Sequence, residues 1–165
     1  MYYDIIDTPL GQMTLVGDES ALIHIDLPEA RRPLHRSVVW KHDAQRFVEE
    51  RRQFDRYFAG ASTTFDLPLA MRGTPFQQEV WSALCNIRYG EAISYAELAR
   101  RINRPKASRA VGLANGANPL AIIVPCHRVI GANGSLTGYG GGMDAKRWLL
   151  DLEQRHRPDG FALQS

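Results

Sequence analysis

Ser94-Tyr95-Ala96-Glu97-Leu98-Ala99-Arg100-Arg101-Ile102-Asn103-Arg104-Pro105-Lys106-Ala107-Ser108-Arg109-Ala110-Val111-Gly112-Leu113-Ala114-Asn115 is the stretch that decides the architecture. Ser94 and Glu97 have the spacing of a capping box, which opens a helix through Leu98, Ala99 and Ile102. Asn103 to Pro105 forms a short turn. Lys106 to about Asn115 then reads as a second helix, rich in small residues: Ala107, Ser108, Ala110, Gly112 and Ala114. Two short helices joined by a tight turn, with basic flanks, read as a helix-turn-helix. The small side chains let the second helix approach a partner closely, and Arg109 projects a long cation from it.

Upstream, Thr74-Pro75-Phe76-Gln77 offers an N-cap, a proline at the first helical position and a capping-box glutamine. Phe76, Val80, Leu84 and Ile87 recur on one face of the helix that follows. Cys85 sits inside it and reads as an inert core thiol. Downstream, the apolar run Leu120–Val124 predicts a short buried strand or extended segment, interrupted by Pro125, which supplies no backbone N–H. Cys126, His127 and Arg128 follow at once. Gly131-Ala-Asn-Gly134 is a turn signal, and Ser135 to Gly142 forms a glycine-rich loop in the position of a wing. Asp144 is placed to cap a last helix in which Trp148, Leu149 and Leu152 pack inward, with Glu153 on a neighbouring side.

The first part predicts a small antiparallel meander, Tyr2–Ile6, Met13–Val16 and Leu22–Leu27, with turns at Thr8–Gly11 and Gly17–Ser20. Residues 28–42 read as a loop. From Asp43 the pattern turns helical, with Phe47, Phe54, Tyr57 and Phe58 on one face until Gly60. Phe65–Leu67 would add an edge strand. The aromatic stripe reads as core, and no chemical constellation falls in this half. The fold class is therefore α+β: a small N-terminal α/β domain with a short antiparallel sheet (1–67), a mostly helical winged helix-turn-helix domain (72–155), and a tail (156–165).

Composition is that of a globular chain. No apolar run approaches the roughly 18 residues of a membrane span, and Met1 to Asp7 does not resemble a signal peptide; a cytoplasmic protein is expected. Cys85 and Cys126 give no disulfide framework in a reducing compartment, and no metal-ligand spacing accompanies them. The net charge of +2 is unevenly spread: residues 1–70 carry 8 Lys/Arg and 11 Asp/Glu, whereas no acidic residue lies between Glu97 and Asp144. Arg100, Arg101, Arg104, Lys106, Arg109 and Arg128 all fall in that window, which suits a polyanion such as DNA.

A thiol presented after a buried element, with an imidazole and a guanidinium beside it, suits nucleophilic sulfur chemistry. Near neutral pH only a few per cent of an ordinary cysteine is ionised, so the nucleophile needs a base. On an extended segment His127 would point away from Cys126. A bridging water or a kink after Pro125 would reconcile them. Glu153 is the candidate carboxylate to orient the imidazole, ahead of Glu97 and Asp151.

Pro125-Cys-His-Arg-Val129, with Arg109-Ala-Val-Gly112 and Asn118-Pro119 before it and Gly138-Tyr-Gly-Gly-Gly142 and Trp148-Leu-Leu-Asp-Leu-Glu153 after it, resembles the O6-alkylguanine-DNA alkyltransferases, or methylated-DNA–protein-cysteine methyltransferases. The match runs from about Gly73 to Glu153, and the N-terminal part resembles only the variable, smaller domain of that family. The resemblance implies stoichiometric, irreversible transfer of the alkyl group from guanine O6 to Cys126 after the base is flipped out of the duplex, with thymine O4 left open as a second donor. It implies His127 as base through a water, Glu153 as its orienter, Asn118 as holder of the active-site turn, and Tyr95 as donor to the departing guanine. Arg109 would fill the gap left by the flipped nucleotide. Ser94, Tyr95, Ala107, Ala110, Gly112, Asn115 and Arg128 would complete the DNA-contacting set, and Val129, Tyr139, Gly140 and Gly141 would line the base pocket.

No cofactor is implied, and the chain lacks the Cys/His set that binds zinc in some relatives. Some relatives carry a hydroxyl residue where Gly140 stands, which leaves the range of alkyl groups open. The implied partner is double-stranded DNA containing O6-alkylguanine, bound by a monomer, with cooperative binding along DNA left open. The competing readings are a non-transferring lesion binder, a winged-helix regulator with an incidental cysteine, and a cysteine hydrolase.

Overall fold

The computed structural model describes residues 1–158 other than 31, 32, 35, 37 and 137. The N-terminal half begins with β1 (Tyr2–Thr8), β2 (Gly11–Gly17) and β3 (Leu22–Asp26), antiparallel neighbours whose inward residues Ile6, Met13, Leu15 and Leu22 are buried. The first turn closes through Thr8 Oγ1, which accepts from Leu10 N, and Gly11 takes φ +114 there. The stretch 28–42, expected as a loop, contributes β4 (Lys41–His42), paired parallel to β1, so the sheet order is β3-β2-β1-β4. Asp4, buried under this edge, holds both Arg51 and His42 and draws β4 in.

Helix α1 (Val48–Phe58) follows a 3₁₀ turn at Gln45–Phe47; the turn buries Phe47 and the helix buries Phe54 and Tyr57. It ends as its sequence predicts. Gly60 at φ +73 donates to Tyr57 O and Ala61 donates to Arg56 O, which satisfies two terminal carbonyls. The expected edge strand at Phe65–Leu67 is replaced by a single bridge from Leu69 to Leu22, because Pro68 interrupts pairing one residue earlier.

The C-terminal half contains α2 (Pro75–Leu84), β5 (Ile93–Ser94), α3 (Tyr95–Arg101), α4 (Ser108–Gly116), β6 (Val129–Ile130) and α5 (Met143–Arg155). The Thr74–Gln77 capping box forms in both directions. At α3 only half of the expected box forms: Ser94 accepts from Glu97 N, but the Glu97 carboxylate turns to Arg100 and Arg101. The turn between α3 and α4 closes when Arg104 donates to Ala99 O, with Asn103 in the left-handed region. Trp81 of α2, fully buried, donates Nε1 to Ala114 O of α4 at 2.8 Å and fixes the helix pair on α2. Strands β5 and β6 pair parallel beneath the helices. Helix α5 starts two residues earlier than Asp144 allows as a cap; Gly142 occupies the cap position at φ +97. Of the expected tail, His156 and Arg157 lie against Gly60 and Gly90, where a Cβ would meet them at 2.4 and 2.1 Å. Residues 159–165 lie outside the described residues.

Candidate active site

The apolar run before Pro125 is not a strand. Leu120 pairs once, with Ile25, and the chain then folds into successive tight turns. Ile123 N bonds Ala121 O across Ile122, a β-branched residue at φ +75, a costly conformation held because Ile122 is buried in the core. Pro125, at φ −83 and ψ 65, makes a second turn in which Cys126 N bonds Val124 O. Cys126–Arg128 then forms a 3₁₀ turn. Proline fits because its ring presets φ and the turn asks no donor of it. Asn118 ties these turns together: Oδ1 accepts from Leu120 N, while Nδ2 donates to Val124 O at 2.7 Å and approaches Cys126 Sγ at 3.1 Å. The kink that would turn His127 off an extended path is this pair of turns.

His127 is wholly buried, and its Nε2 lies 2.7 Å from Glu153 Oε2. The same carboxylate accepts from Arg128 Nε at 2.7 Å, Arg128 Nη2 at 3.0 Å and the Tyr57 hydroxyl at 2.6 Å. Arg128 Nη1 donates to Ile87 O, so the guanidinium is held from both sides. Burial opposes ionisation of Glu153, but His127 and Arg128 outweigh it and hold the carboxyl well below its ordinary range. Burial pushes the His127 pKa down, with Glu153 pulling against it and the Arg128 and Lys146 charges adding to the fall. A neutral imidazole facing a carboxylate must carry its proton on Nε2. The lone pair is then on Nδ1, which has no protein partner. His127 is thus an available base aimed away from Glu153.

Cys126, 6 % exposed, stands in the wall of a cavity of about 550 Å³. Burial raises its thiol pKa, against the Asn118 hydrogen bond and the Lys146 charge. Helix α4 lines one side of the cavity through Gly112, Leu113 and Asn115, and the loop Gly138–Gly141 lines another. His24, Ile25, Asp26, Leu27 and Ala30, all from the N-terminal half, complete the wall. Tyr139 is buried there, its pKa raised far by burial first and then by Cys126 and Glu153, so its hydroxyl stays protonated. Lys146, with no exposed surface, donates Nζ to Val129 O at 2.6 Å and secures the chain just past the 3₁₀ turn.

Two family models match the chain: the ribonuclease-like domain of 6-O-methylguanine DNA methyltransferase over residues 1–71 and its DNA binding domain over residues 75–155. The chain belongs to the 6-O-methylguanine DNA methyltransferase family. It is 49 % identical to the methylated-DNA–protein-cysteine methyltransferase of Methanosarcina barkeri, over 94 % of this chain and 99 % of that one. It is 51 % identical to the enzyme of the same name from Mycobacterium tuberculosis, over 99 % of this chain and 98 % of that one. The crystal structure of Mycobacterium tuberculosis OGT in complex with DNA superimposes with a TM-score of 0.89, at 51 % identity and 96 % coverage of both chains.

The helix pair of this methyltransferase presents Arg109 and Ala110 of α4 to solvent, with Ala107 and Gly112 half-buried beside them. Tyr95 lies at the junction: its ring is next to Gly112 and its hydroxyl next to Gly138. The basic window is weaker than its sequence implies. Arg100 and Arg101 pair with Glu97, Arg101 also with Glu91, and Arg104 with Glu79. The acids come from outside the window but fold back onto it.

Cys126, His127, Glu153 and Asn118 are brought together, and Tyr139, Gly140 and Gly141 line the cavity beside Cys126, whereas Val129, expected in the base pocket, is buried in the core and does not line it. Two expected DNA contacts are not on the surface. Arg128 is buried on Glu153, where its guanidinium compensates the buried carboxylate charge, and Asn115 is buried with Nδ2 directed at Cys126 O. Cys85, expected in the core, is exposed at the end of α2. Tyr57, Lys146 and the β3 wall were not anticipated. For Tyr57 the aromatic stripe was visible but not its reach across the fold; for Lys146 a signal existed, since it lies seven residues before Glu153 on the same face of α5. Among the described residues no cluster of His, Cys, Asp or Glu could hold a metal ion, and no helix is long and apolar enough to cross a membrane.

Proposed function

We propose that Cys126 is the alkyl acceptor of a single-use DNA repair protein acting on O6-alkylguanine in duplex DNA. The chain acts in DNA repair as a methylated-DNA–protein-cysteine methyltransferase. The observation that carries the site assignment is the thiol in the cavity wall with the His127–Glu153 pair behind it and the Asn118 amide on its sulfur.

The thiol proton passes to His127 Nδ1 through a water. The sulfur attacks the alkyl carbon, an S–C bond forms, and the C–O6 bond breaks with guanine as leaving group. Tyr95 supplies a proton to the departing base and regains one through solvent as the His127 imidazolium gives up the thiol's proton. The imidazolium is stabilised by Glu153, whose charge is already held by Arg128 and Tyr57. The product thioether is not reversed by water or thiols, so each chain turns over once and needs no cofactor. The base must leave the stack to reach a buried thiol, at a cost of a few kcal/mol. Arg109, exposed on α4 and without an ion pair among the described residues, fills the vacated position. Every group named comes from one chain, so a monomer suffices. A reducing, cytoplasmic location suits an acceptor that must remain a thiol.

The test is to incubate the protein with duplex DNA carrying O6-methylguanine and to weigh the intact chain and its peptides. One added methylene mass on the Cys126 peptide, saturating at one per chain, is expected. A lesion that stays bound to unmodified protein would instead establish a non-transferring lesion binder.

A further inference from the structure

Five of the described residues that line the cavity beside Cys126 are also exposed, and so stand at its mouth: Leu113, Gly116 and Ala117 on and just past α4, and Gly138 and Gly140 on the glycine-rich loop. Four of the five have no side chain beyond a methyl group. Leu113 is the exception, and it is 74 % exposed. It lies one helical turn past Arg109 on the exposed face of α4, about 6 Å further along the axis. A single exposed leucine is ordinary on a protein surface. A leucine that is the one large side chain on a rim of glycine and alanine is placed to meet whatever enters.

A nucleotide that enters is divided at this rim. Its base must pass inside to reach Cys126, which is 6 % exposed, while its phosphates stay with the strand outside. The deoxyribose joins the two and therefore sits at the mouth. Glycine and alanine leave room for its bulk. Its ring presents carbon and hydrogen over most of its surface, and an isobutyl group packed on that surface leaves water together with it. The contact forms only once the nucleotide has left the stack, so it favours the extruded state. We propose that Leu113 is a substrate-binding residue that packs against the deoxyribose of the extruded nucleotide and holds it at the cavity mouth, one turn from Arg109 in the place the nucleotide left. The proposal rests on Cys126 being the alkyl acceptor.

The test measures single-turnover alkylation of Cys126, read from the mass of its peptide, with three methyl donors. They are O6-methylguanine as the free base, O6-methyl-2′-deoxyguanosine, which adds the sugar alone, and a duplex carrying the lesion. Leu113→Ala is expected to lower the rate constants for the nucleoside and the duplex about fivefold relative to that for the free base, the scale of half-burying a leucine. Leu113→Met, which keeps the apolar reach, should stay within about twofold of the wild type in both ratios. The free base is the internal control for any change in folding or in the cavity itself. An unchanged nucleoside-to-base ratio in Leu113→Ala overturns the proposal, including the case in which the duplex alone slows, which would make Leu113 a contact to the stacked duplex. Leu113→Met as slow as Leu113→Ala overturns it as well. Absence of Cys126 alkylation by all three donors would instead overturn the reading of Cys126 itself.

Discussion

Tyr57 donates its hydroxyl to Oε2 of Glu153 at 2.6 Å, across 96 residues of chain. The same oxygen receives His127 Nε2, so a side chain of the N-terminal half touches the carboxylate that pairs with the His127 imidazole. Burial, and then the Glu153 charge, push the Tyr57 pKa far up, so it is a donor at every working pH.

Tyr57→Phe should therefore reach beyond its own domain. It removes one hydrogen bond to a charged acceptor, and unfolding in urea is expected to show a loss of about 1.5–3 kcal/mol. Transfer to Cys126 should slow in parallel, because Glu153 is less firmly placed. A variant with unchanged stability and rate would show the contact to be idle.

Glu153→Ala strands Arg128 in the interior, where among the described residues Ile87 O is its one remaining hydrogen-bond acceptor. The expected loss is about 3–5 kcal/mol. Asp151→Ala, on the exposed side of the same helix, should change stability by no more than about 0.5 kcal/mol. Chemical denaturation of the two variants side by side measures the difference.

Stability should fall with acid in two stages. The folded-state pKa of His127 is lowered from 6.5, so as pH drops below 6.5 the unfolded chain takes up a proton that the folded chain refuses. The stability this contributes is complete above 6.5 and declines toward the folded pKa. Glu153 acts lower: its contribution is present above the ordinary value of 4.5 and is lost as pH falls through its depressed folded pKa. Melting temperature is expected to stay level down to about pH 7 and then to decline, steepening further below about pH 4.5. In His127→Gln the first decline should flatten and the second remain.

Arg109→Ala should lower transfer from duplex DNA at least about tenfold relative to transfer from the free base O6-methylguanine, which needs no extrusion. Salt dependence checks the surface charges separately. Lys106→Ala should reduce the slope of log affinity against log salt by about 1, whereas Arg104→Ala should reduce it less, because Glu79 already neutralises Arg104.

Neighbouring glycines in the loop should respond differently. A Cβ on Gly141 would meet Leu27 Cδ1 at 2.2 Å and Tyr139 Cε2 at 3.0 Å, so Gly141→Ala is expected to cost about 1–3 kcal/mol. A Cβ on Gly140 meets nothing within 4 Å, and Gly140→Ser should unfold within about 0.5 kcal/mol of the parent. Thermal melts of the two variants decide this.

Local grammar made much of this protein legible in its sequence. The Thr74–Gln77 box, the Gly60 stop, the turn at Asn103–Pro105 and the periodicity of Leu149 and Leu152 depend on residues a few positions apart, and the backbone obeys them. The thiol and its adjacent histidine stand together in the sequence after Pro125, and Glu153 was legible as the candidate carboxylate on the last helix. The signals failed where an apolar pattern is ambiguous: Leu120–Val124 has the composition of a strand, yet Asn118 and Pro125 bend it into turns.

Side-chain destination is what only the packed molecule decides. Arg128, Asn115 and Lys146 look like surface residues in one dimension, because polarity alone does not say whether a buried partner waits. Glu153 awaits Arg128, Val129 O receives Lys146, and Cys126 O receives Asn115, each supplied by a segment remote in sequence. The β3 wall of the cavity and the Tyr57 contact arise for the same reason. Burial of a charge or an amide is stable only when a specific partner meets it, and that meeting is a property of the tertiary arrangement.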